Sequence, residues 1–274
     1  MADGSPIEWT DASWNPVRGC ERVSEGCRNC YAEVLAARFS GKGFWGEGLA
    51  KWVTRPDGTR EARWTGKIVP REEMLELPLR WKTPRRVFVN SMSDLFHERV
   101  PADFIARVLD VAYRCQQHTF QILTKRPSRM AEFLAGSSGQ GLANAEFFRN
   151  VWFGFSAEDQ ATWNERAAAV DDLTAHGFNT WASCEPLLGE ISIRPGQVRW
   201  AVLGGESGPH ARPTVIGHIR HLLRAFQFDG VPVFVKQLGA HPVNREGVPH
   251  PIKDKKGADM AEWPTDLMVR EMPR

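Results

Sequence analysis

Three of the five cysteines lie close together near the amino terminus, where they could bind one inorganic centre. Cys20, Cys27 and Cys30 form a C-x6-C-x2-C pattern in the segment NPVRGCERVSEGCRNCYAE, a loop that leads into an apolar-periodic helix. Three cysteines can hold a [4Fe-4S] cluster and leave one iron open to a small molecule. A structural zinc site needs a fourth ligand, and the nearest histidine in sequence is His97. The spacing of the cysteines alone is compatible with an iron–sulfur cluster, with a zinc site and with ordinary buried thiols.

The other two cysteines are predicted to play different roles. Disulfide frameworks belong mainly to small secreted domains, and the five cysteines of this chain are not spaced like one. Cys115 falls in the middle of a predicted helix and is expected in the core. Cys184 ends a predicted strand beside Glu185, so it is a candidate redox or hydrogen-donating thiol.

Polar side chains follow each of six predicted strands. In parallel β/α folds the carboxyl ends of the strands meet at one edge, where functional groups collect. Carboxylate, ammonium and hydroxyl groups at one edge could bind a polar ligand of mixed charge, although Ser93, Asp94 and Asp159 could simply cap the next helix. The candidate ligand-binding residues are Ser91, Ser93, Asp94, Lys125, Ser156, Glu158, Glu185, Gly204, Gly205 and Glu206, together with Tyr31 after the last clustered cysteine.

The elements that must position these residues form a repeated pattern. Short β-branched or aromatic runs alternate with helical periodicity from residue 86 onward, which predicts parallel β/α units. Helices are predicted from Pro101 to Cys115, with Tyr113 on the apolar face, from Asp159 to His176 and over 214–228. The predicted strands are Val87–Asn90, Thr119–Leu123, Val151–Phe155, Asn179–Ser183, Trp200–Leu203 and Val231–Val235.

Two segments depart from this pattern. Residues 41–80 contain several glycines and two short strand-like runs, Trp52–Thr54 and Trp64–Val69, which predict a hairpin inserted after the first β/α unit. Residues 239–274 are proline-rich and charged, which predicts an extension packed on the main domain of residues 1–238.

Composition is that of an ordinary globular protein. The 274 residues are 42% hydrophobic and 25% charged, with a formal net charge of +2. These values exclude disorder, collagen and coiled coil. The acidic, polar first residues and the absence of a long apolar run predict a cytoplasmic protein without a membrane span.

Several sequence blocks resemble a phage- and bacterium-associated family of three-Cys-motif proteins of unknown function. The blocks are IEWTDASWNPVRGC, GCRNCYAE, VFVNSMSDLFHE, ILTKRPSRM, NVWFGFSAEDQ, SCEPLLGEI, VLGGESGPHARP and PVFVKQLG. That family is in turn similar to radical S-adenosylmethionine (SAM) enzymes. The resemblance implies an α/β fold, a partial (β/α)6 barrel of the TIM type.

The resemblance also implies a cofactor set. Cys20, Cys27 and Cys30 would bind a [4Fe-4S] cluster, and SAM bound at its open iron would be cleaved to a 5′-deoxyadenosyl radical with one electron from an external donor. The spacing departs from the usual C-x3-C-x2-C, and Asn29 stands where an aromatic residue normally precedes the last cysteine. NSMSD replaces the usual glycine-rich element that binds the SAM amine, so Ser91, Ser93 and Asp94 would have to take that role.

Other functions remain open. One alternative is an iron–sulfur protein that binds nucleic acid or senses redox state without cleaving SAM, and another is a zinc-stabilised interaction module. Nucleic acid is a candidate partner because basic clusters accompany eleven tryptophans. The resemblance to lesion-repair members of the radical SAM superfamily also makes a nucleic acid or nucleotide a candidate substrate. A separate partner protein is implied by the resemblance, because proteins of that family often occur beside one. The basic clusters are Lys82, Arg85 and Arg86; Lys125, Arg126 and Arg129; and Lys253, Lys255 and Lys256.

Overall fold

The computed structural model of the chain describes Ser5, residues 7–135 and residues 144–273. The chain divides into two compact units, residues 1–124 and residues 125–274. The amino-terminal residues 1–4, on which part of the cytoplasmic prediction depends, and Arg274 at the end of the predicted extension lie outside the described residues.

Three parallel strands form the centre of the first unit. They are β1 (Ala12–Trp14), β2 (Arg86–Val89) and β3 (Thr119–Thr124). β2 lies between the other two, with Val87 paired to Ala12 on one side and to Phe120 on the other. These three residues are completely buried. Burial on both faces is typical of parallel strands and explains the β-branched and aromatic residues that predicted β2 and β3.

The helices of the first unit are α1 (Tyr31–Arg38) and α2 (Ala102–Arg114). Pro101 was predicted as the first helical residue, but it is the N-cap, with extended backbone, and α2 begins one residue later. The apolar face of α2 is buried as predicted at Phe104, Ile105 and Val108, whereas Tyr113 is 45% exposed and does not belong to that face. Short 3-10 helices span Glu25–Cys27, Glu72–Met74 and Pro78–Arg80.

The predicted hairpin is present, with a different second strand. Ala50–Thr54 pairs antiparallel with Arg60–Trp64, so the second strand ends where the prediction had it begin. The backbone of Gly58 is left-handed, with φ of +81°, in the connecting turn. Val69, predicted in the hairpin, instead pairs with Arg18 in a second small sheet, Val17–Arg18 with Val69–Pro70.

Four parallel strands form the centre of the second unit. They are β4 (Val151–Ser156), β5 (Asn179–Cys184), β6 (Trp200–Gly204) and β7 (Val233–Gln237), adjacent in that order. Gly154 in β4 faces the Trp181 side chain, and a Cβ atom there would lie 2.3 Å from the indole nitrogen. Trp181 in turn packs on Trp200, with ring centroids 5.0 Å apart. A large aromatic side chain therefore fills the space that a glycine leaves.

The helices of the second unit are α3 (Pro127–Ala135), α4 (Gln160–Ala175) and α5 (Ile216–Phe228). α4 begins with a capping box in which Asp159 accepts a hydrogen bond from the Thr162 backbone and the Thr162 hydroxyl bonds the Asp159 backbone. The capping role considered for Asp159 is thus confirmed. A 3-10 helix spans Ala145–Phe148 before β4.

The carboxyl-terminal segment lies along the last strand of the second unit. Val235 in β7 donates a backbone hydrogen bond to Val269, and Glu271 donates one to Val233. Trp263 is 5% exposed and its indole donates to the carbonyl of Gly257. The remaining elements are the strand pair Thr214–Val215 with Pro242–Val243 and the 3-10 helices Met260–Glu262 and Thr265–Leu267.

The chain therefore has a mixed α/β fold built on parallel strands, as predicted. All six predicted strands are present with ends within two residues of those expected. β1 is an additional strand for which no residue range was predicted. Among the described residues, no helix is both long enough and apolar enough to cross a membrane.

Candidate functional site

Residues 15–30, which carry the three clustered cysteines and are called the cysteine loop below, start at the carboxyl end of β1. The loop is attached there to the segment that follows β2. Gly19 forms a parallel bridge with Ser93, which lies four residues beyond the end of β2. Gly19 has φ of +87°, and a Cβ atom on it would lie 2.0 Å from the carbonyl oxygen of Lys67. Only glycine fits this position, since the backbone is left-handed and tightly packed. The backbone directly before Cys20 is therefore held in a fixed position at the strand ends.

A buried glutamate holds the middle of the loop. Glu33 in α1 is 1% exposed, and its Oε2 accepts a hydrogen bond from Arg22 Nε at 2.8 Å. Its Oε1 accepts from the Trp64 backbone at 2.7 Å. Arg22 also donates through Nη2 to the carbonyl of Ala62 at 3.0 Å. One carboxylate thus connects the cysteine loop, α1 and the inserted hairpin.

Cys27 and Cys30 lie in consecutive turns before α1. The Cys27 backbone donates to Ser24, and the Cys30 backbone donates to Cys27, which is the last residue of a 3-10 helix. Cys30 is the N-cap residue of α1. All three clustered cysteines, Cys20 included, are reduced and partly exposed. Their thiols can therefore be reached from solvent.

The three cysteines match a metal cluster in residue type but not in their relative positions. Three thiols on one accessible loop match a three-cysteine cluster in number and type. Within the described ranges, however, no three Cys, His, Asp or Glu side chains are close enough together to hold a metal ion. Binding would require the part of the loop beyond Cys20 to bring the three sulfur atoms together.

His97, the candidate fourth zinc ligand, contacts carboxylates. It is 1% exposed, and its Nε2 lies 3.5 Å from Oε2 of Glu21. Its Nδ1 accepts from the Arg99 backbone and lies 3.6 Å from Glu98. Arg99 also pairs with Glu21 at 3.0 Å. His97 thus helps to position the loop through Glu21.

The polar residues after β2 have partners within the first unit. The Ser93 hydroxyl donates to the Val17 carbonyl at 2.8 Å. The Ser91 hydroxyl donates to Asn15 Oδ1 at 3.1 Å, and the Ser91 carbonyl accepts from the Tyr31 hydroxyl at 2.7 Å. The Tyr31 side chain, 54% exposed, therefore connects the start of α1 to the end of β2.

Asp94 is the most deeply buried of these groups. It is 5% exposed, and its Oδ1 accepts hydrogen bonds from the Phe96 backbone at 2.9 Å and from the Thr124 hydroxyl at 2.7 Å. Thr124 is the last residue of β3. Ser91, Ser93 and Asp94 thus hold the strand ends of the first unit together, whatever else they bind.

In the second unit a buried ion cluster lies after β4. Glu158 and Arg166 are 1% and 3% exposed, and Arg166 Nη1 lies 3.0 Å from Glu158 Oε2. Arg166 also donates to the carbonyl of Ser156 at 2.8 Å. Lys125 Nζ lies 3.5 Å from Glu158 Oε1 and is 20% exposed. Of this predicted group, Lys125 is the member that solvent reaches.

A second ion pair joins the ends of β5 and β7. Glu185 Oε1 lies 3.0 Å from Lys236 Nζ, and the two side chains are 14% and 24% exposed. The Ser183 hydroxyl donates to Glu185 Oε2 at 3.3 Å. Gly204 lies beside this carboxylate, because a Cβ atom there would be 2.8 Å from Glu185 Oε1. Glycine at 204 therefore leaves the space that the Glu185 side chain occupies.

The remaining predicted residues have contacts inside the loop after β6. Glu206 is 6% exposed and pairs with Arg212 Nη2 at 2.6 Å, while its Oε2 also accepts from the Arg212 backbone at 2.8 Å. Gly205 is in close contact with the segment after β7, since a Cβ atom on it would lie 2.2 Å from the Leu238 carbonyl oxygen. The glycine run thus allows two parts of this chain to approach.

Burial separates the two isolated cysteines from the three in the loop. Cys115 is completely buried, as predicted, and burial raises the pKa of its thiol. Cys184 is also completely buried, and burial raises its pKa strongly, with smaller contributions from the carboxylates of Glu185 and Glu158. At neutral pH the Cys184 thiol is therefore protonated. A protonated thiol can donate hydrogen, but it is a poor nucleophile.

Several residues important to these sites were not predicted. Arg22, Glu33 and Arg166 are charged residues that lie in loops or on helices rather than at strand ends. Arg166 had one available signal, because it lies on the same helical face as Trp163 and Val170, which are buried. A charged residue on an apolar face indicates a buried ion pair.

Comparison with known proteins gives one family. No curated protein and no solved structure matches the chain significantly. A family model with the description "Protein of unknown function (DUF5131)" matches residues 4–268, nearly the whole chain. The protein therefore belongs to the DUF5131 family.

Proposed function

We propose that this protein is an iron–sulfur enzyme of the radical SAM type, with Cys20, Cys27 and Cys30 as the cluster ligands. The observation that carries the proposal is the position of the cysteine loop. It starts at the carboxyl end of a parallel strand, β1, and the bridge between Gly19 and Ser93 attaches it to the end of the neighbouring strand. Cofactors in parallel β/α folds bind at that edge.

The chain's own residues would prepare the loop for a cluster. Gly19 fixes its start, Glu33 holds Arg22 in the middle, and the N-terminus of α1 follows Cys30 directly. The positive end of a helix dipole favours thiolate at that position. When bound, a reduced [4Fe-4S] cluster would supply the one electron that breaks the S–C5′ bond of SAM, giving methionine and a 5′-deoxyadenosyl radical.

In the second unit, exposure distinguishes the predicted ligand-binding residues. Glu158 is buried in its ion pair with Arg166, so a ligand does not reach it. Its proposed role is to position Lys125, which contacts the same carboxylate. Glu185 and Lys236 are partly exposed, and a ligand carrying both a carboxylate and an ammonium group could exchange with their mutual ion pair. We assign these two residues and Lys125 to ligand binding. The buried Cys184 beside Glu185 is assigned as a candidate hydrogen donor.

The other predictions that follow from the resemblance belong to the same proposal. They are closure of the strands into a partial (β/α)6 barrel, an external electron donor, a separate partner protein and a phage association. The cytoplasmic location predicted from the polar amino terminus is proposed with them. An iron–sulfur protein without SAM cleavage is the nearest alternative, because the cluster ligands are the same. The zinc alternative would need a fourth ligand.

Anaerobic reconstitution tests the proposal. The purified protein is incubated with iron, sulfide and reductant, and its iron, zinc and labile sulfide are measured. Addition of SAM and dithionite is then followed by chromatography for 5′-deoxyadenosine. Cluster formation with 5′-deoxyadenosine supports the enzyme, and a cluster without it supports the alternative that only senses or binds. Zinc without labile sulfide would overturn the assignment of the cluster.

A further inference from the structure

A cleft of about 750 Å³ in the first unit carries cations and aromatic rings together. It lies beside β1 and the end of α1, and its walls include residues from the segment between the hairpin and β2. Five cationic side chains line it, and no Asp or Glu is among the described residues of its lining. The cations are Arg18, Arg71, Arg80, Lys82 and Arg85.

The positive charge of this cleft is concentrated rather than dispersed. Arg18 is partly buried, and it lines the cleft together with Arg71. Glu73 neutralises Arg71 at 2.8 Å but lies outside the lining, and it is exposed. Arg80 and Lys82 are exposed at the rim. The cleft is therefore suited to an anion with several charges.

Aromatic side chains supply apolar surface between the cations. Phe39 at the end of α1 is 37% exposed, and its ring lies 6.0 Å from that of Trp45. Trp45 lies under the guanidinium of Arg18, at 5.7 Å from the ring centroid. Trp81 lies under Arg85 at 5.1 Å. Stacked guanidinium and aromatic planes are surfaces on which nucleic-acid bases also stack.

We propose that this basic and aromatic cleft binds single-stranded nucleic acid, with phosphates on its arginine and lysine side chains and bases stacked on its aromatic rings. The four lining cations other than Arg71, which Glu73 neutralises, exceed the needs of one mononucleotide phosphate group, whereas a strand supplies one phosphate per nucleotide. A duplex keeps its base faces stacked, so they are not available to Phe39. SAM carries a sulfonium cation, which this cleft would repel.

The cleft is independent of the proposed cluster. None of its lining residues is a cysteine, and the nearest in sequence, Arg18, precedes Cys20 by two positions. The inference therefore stands if the protein proves to hold no iron. Binding can be measured on the apo protein and on a Cys27→Ala variant, which separates failure of this inference from failure of the proposed function.

Fluorescence anisotropy tests the inference with labelled oligothymidylate and oligouridylate of about a dozen nucleotides, the length that one such groove covers. Thymidine monophosphate and a duplex of the same length are competitors. We expect single strands to bind, with log affinity falling against log salt at a slope of about −2 to −3, as for three to four phosphate contacts. DNA and RNA arms show whether the 2′-hydroxyl matters. Tighter binding of the mononucleotide or the duplex would overturn the proposal.

Matched variants locate the site. Lys82→Ala should weaken binding about three- to tenfold and reduce the salt slope by about 0.7, while Lys51→Ala on the exposed hairpin should change neither. Phe39→Ala should weaken binding about tenfold with the salt slope unchanged, while Phe228→Ala, 92% exposed in the second unit and outside the lining, should have little effect. Equal effects of each variant and its control would overturn the proposal. Dextran sulfate, which has charge but no bases, should bind equally to the Phe39→Ala protein and the unsubstituted protein, and weakening of its binding to the same extent as that of the oligonucleotide would also overturn the proposal.

Discussion

Glu158 and Arg166 form an ion pair that is almost completely removed from water, with 3.0 Å between Oε2 and Nη1. Two features surround this pair. Lys125 contacts the same carboxylate, and Arg166 also binds the carbonyl of Ser156, the last residue of β4. The pair therefore joins α4 to the carboxyl end of a central strand. Its main role is to fix the position of Lys125 at the candidate site.

Removal of one member of this pair should destabilise the second unit. Replacing Arg166 by Met leaves the Glu158 carboxylate buried with only Lys125 nearby, and we expect a loss of about 3–5 kcal/mol in the free energy of unfolding. Urea denaturation followed by tryptophan fluorescence measures it. Glu146→Gln, which removes an exposed pair with Arg149, should cost less than about 0.5 kcal/mol. Similar losses in both variants would contradict the structural role assigned here.

Glu33 should affect both stability and cluster formation. Glu33→Ala leaves the Arg22 guanidinium and the Trp64 backbone without their buried partner, so we expect about 3–5 kcal/mol of destabilisation. Iron and sulfide bound after reconstitution should fall as well, because the middle of the cysteine loop is released. Arg107→Ala, which removes an exposed ion pair with Glu72, is the control and should retain both properties. Full iron content in the Glu33 variant would show that the loop does not need this support.

The five cysteines should separate into two groups in reconstitution. Cys27→Ala should abolish the visible iron–sulfur absorption because a two-cysteine loop cannot hold the cluster. Cys115→Ala should retain it, since Cys115 lies in the core. Iron and sulfide analysis on both proteins provides the measurement. Equal loss from the two variants would mean that the ligands are wrongly assigned.

Alkylation of the apo protein should give the same division. At about pH 7.5 iodoacetamide should label Cys20, Cys27 and Cys30, which are partly exposed. Cys115 and Cys184 should stay unlabelled until the protein is unfolded, because both are buried and burial raises the pKa of each thiol. Peptide mass spectrometry with and without urea distinguishes the groups. Rapid labelling of Cys184 in the native protein would show that solvent reaches it.

Acid should release one contact of the carboxyl-terminal segment. The hydrogen bond from Arg220 lowers the pKa of Asp266 below its usual value near 3.9. When a carboxyl pKa is lower in the folded than in the unfolded state, the ionised group stabilises the folded state at pH values above the unfolded-state pKa. That stabilisation is lost as the pH falls through the folded-state pKa. Asp266→Asn should therefore lower the Tm at pH 5–7, and the difference from the unsubstituted protein should shrink progressively as the pH falls below the usual carboxyl pKa near 3.9.

A variant of the partner arginine checks this assignment. Arg220→Met should reproduce the loss of Tm seen in Asp266→Asn, and the double variant should lose no more than either single variant. A difference in Tm that persists unchanged at pH 3 would indicate that Asp266 acts through something other than its charge.

The main strands could be predicted from sequence because the physics that forms them is local. β4 is Val-Trp-Phe-Gly-Phe-Ser and β5 ends in Trp-Ala-Ser-Cys, so aromatic and β-branched residues mark strands buried on both faces. β1 is Ala-Ser-Trp and carries no such signal. It becomes a strand because β2 offers an edge to pair with, as the register of Ala12 with Val87 shows.

The polar residues of the site were harder to assign than the strands. Their positions at the strand ends could be predicted, but their partners lie tens of residues away in sequence. Asp94 with Thr124 and Glu185 with Lys236 are examples. Neither spacing nor composition indicates which carboxylate will be buried in a pair and which will stay accessible. That distinction separates Glu158 from Glu185.

The contact of Glu33 with the hairpin bears on how shortened forms of this protein should be designed. Residues 41–80 form no part of the parallel strands, so they can be mistaken for an insertion that could be deleted without effect. Excising them would strip the carboxylate of its bond from Trp64 and would remove Lys67, whose carbonyl oxygen packs against Gly19. A minimal version that keeps every cysteine but omits this segment would therefore lose the scaffold that shapes the thiol-bearing turn.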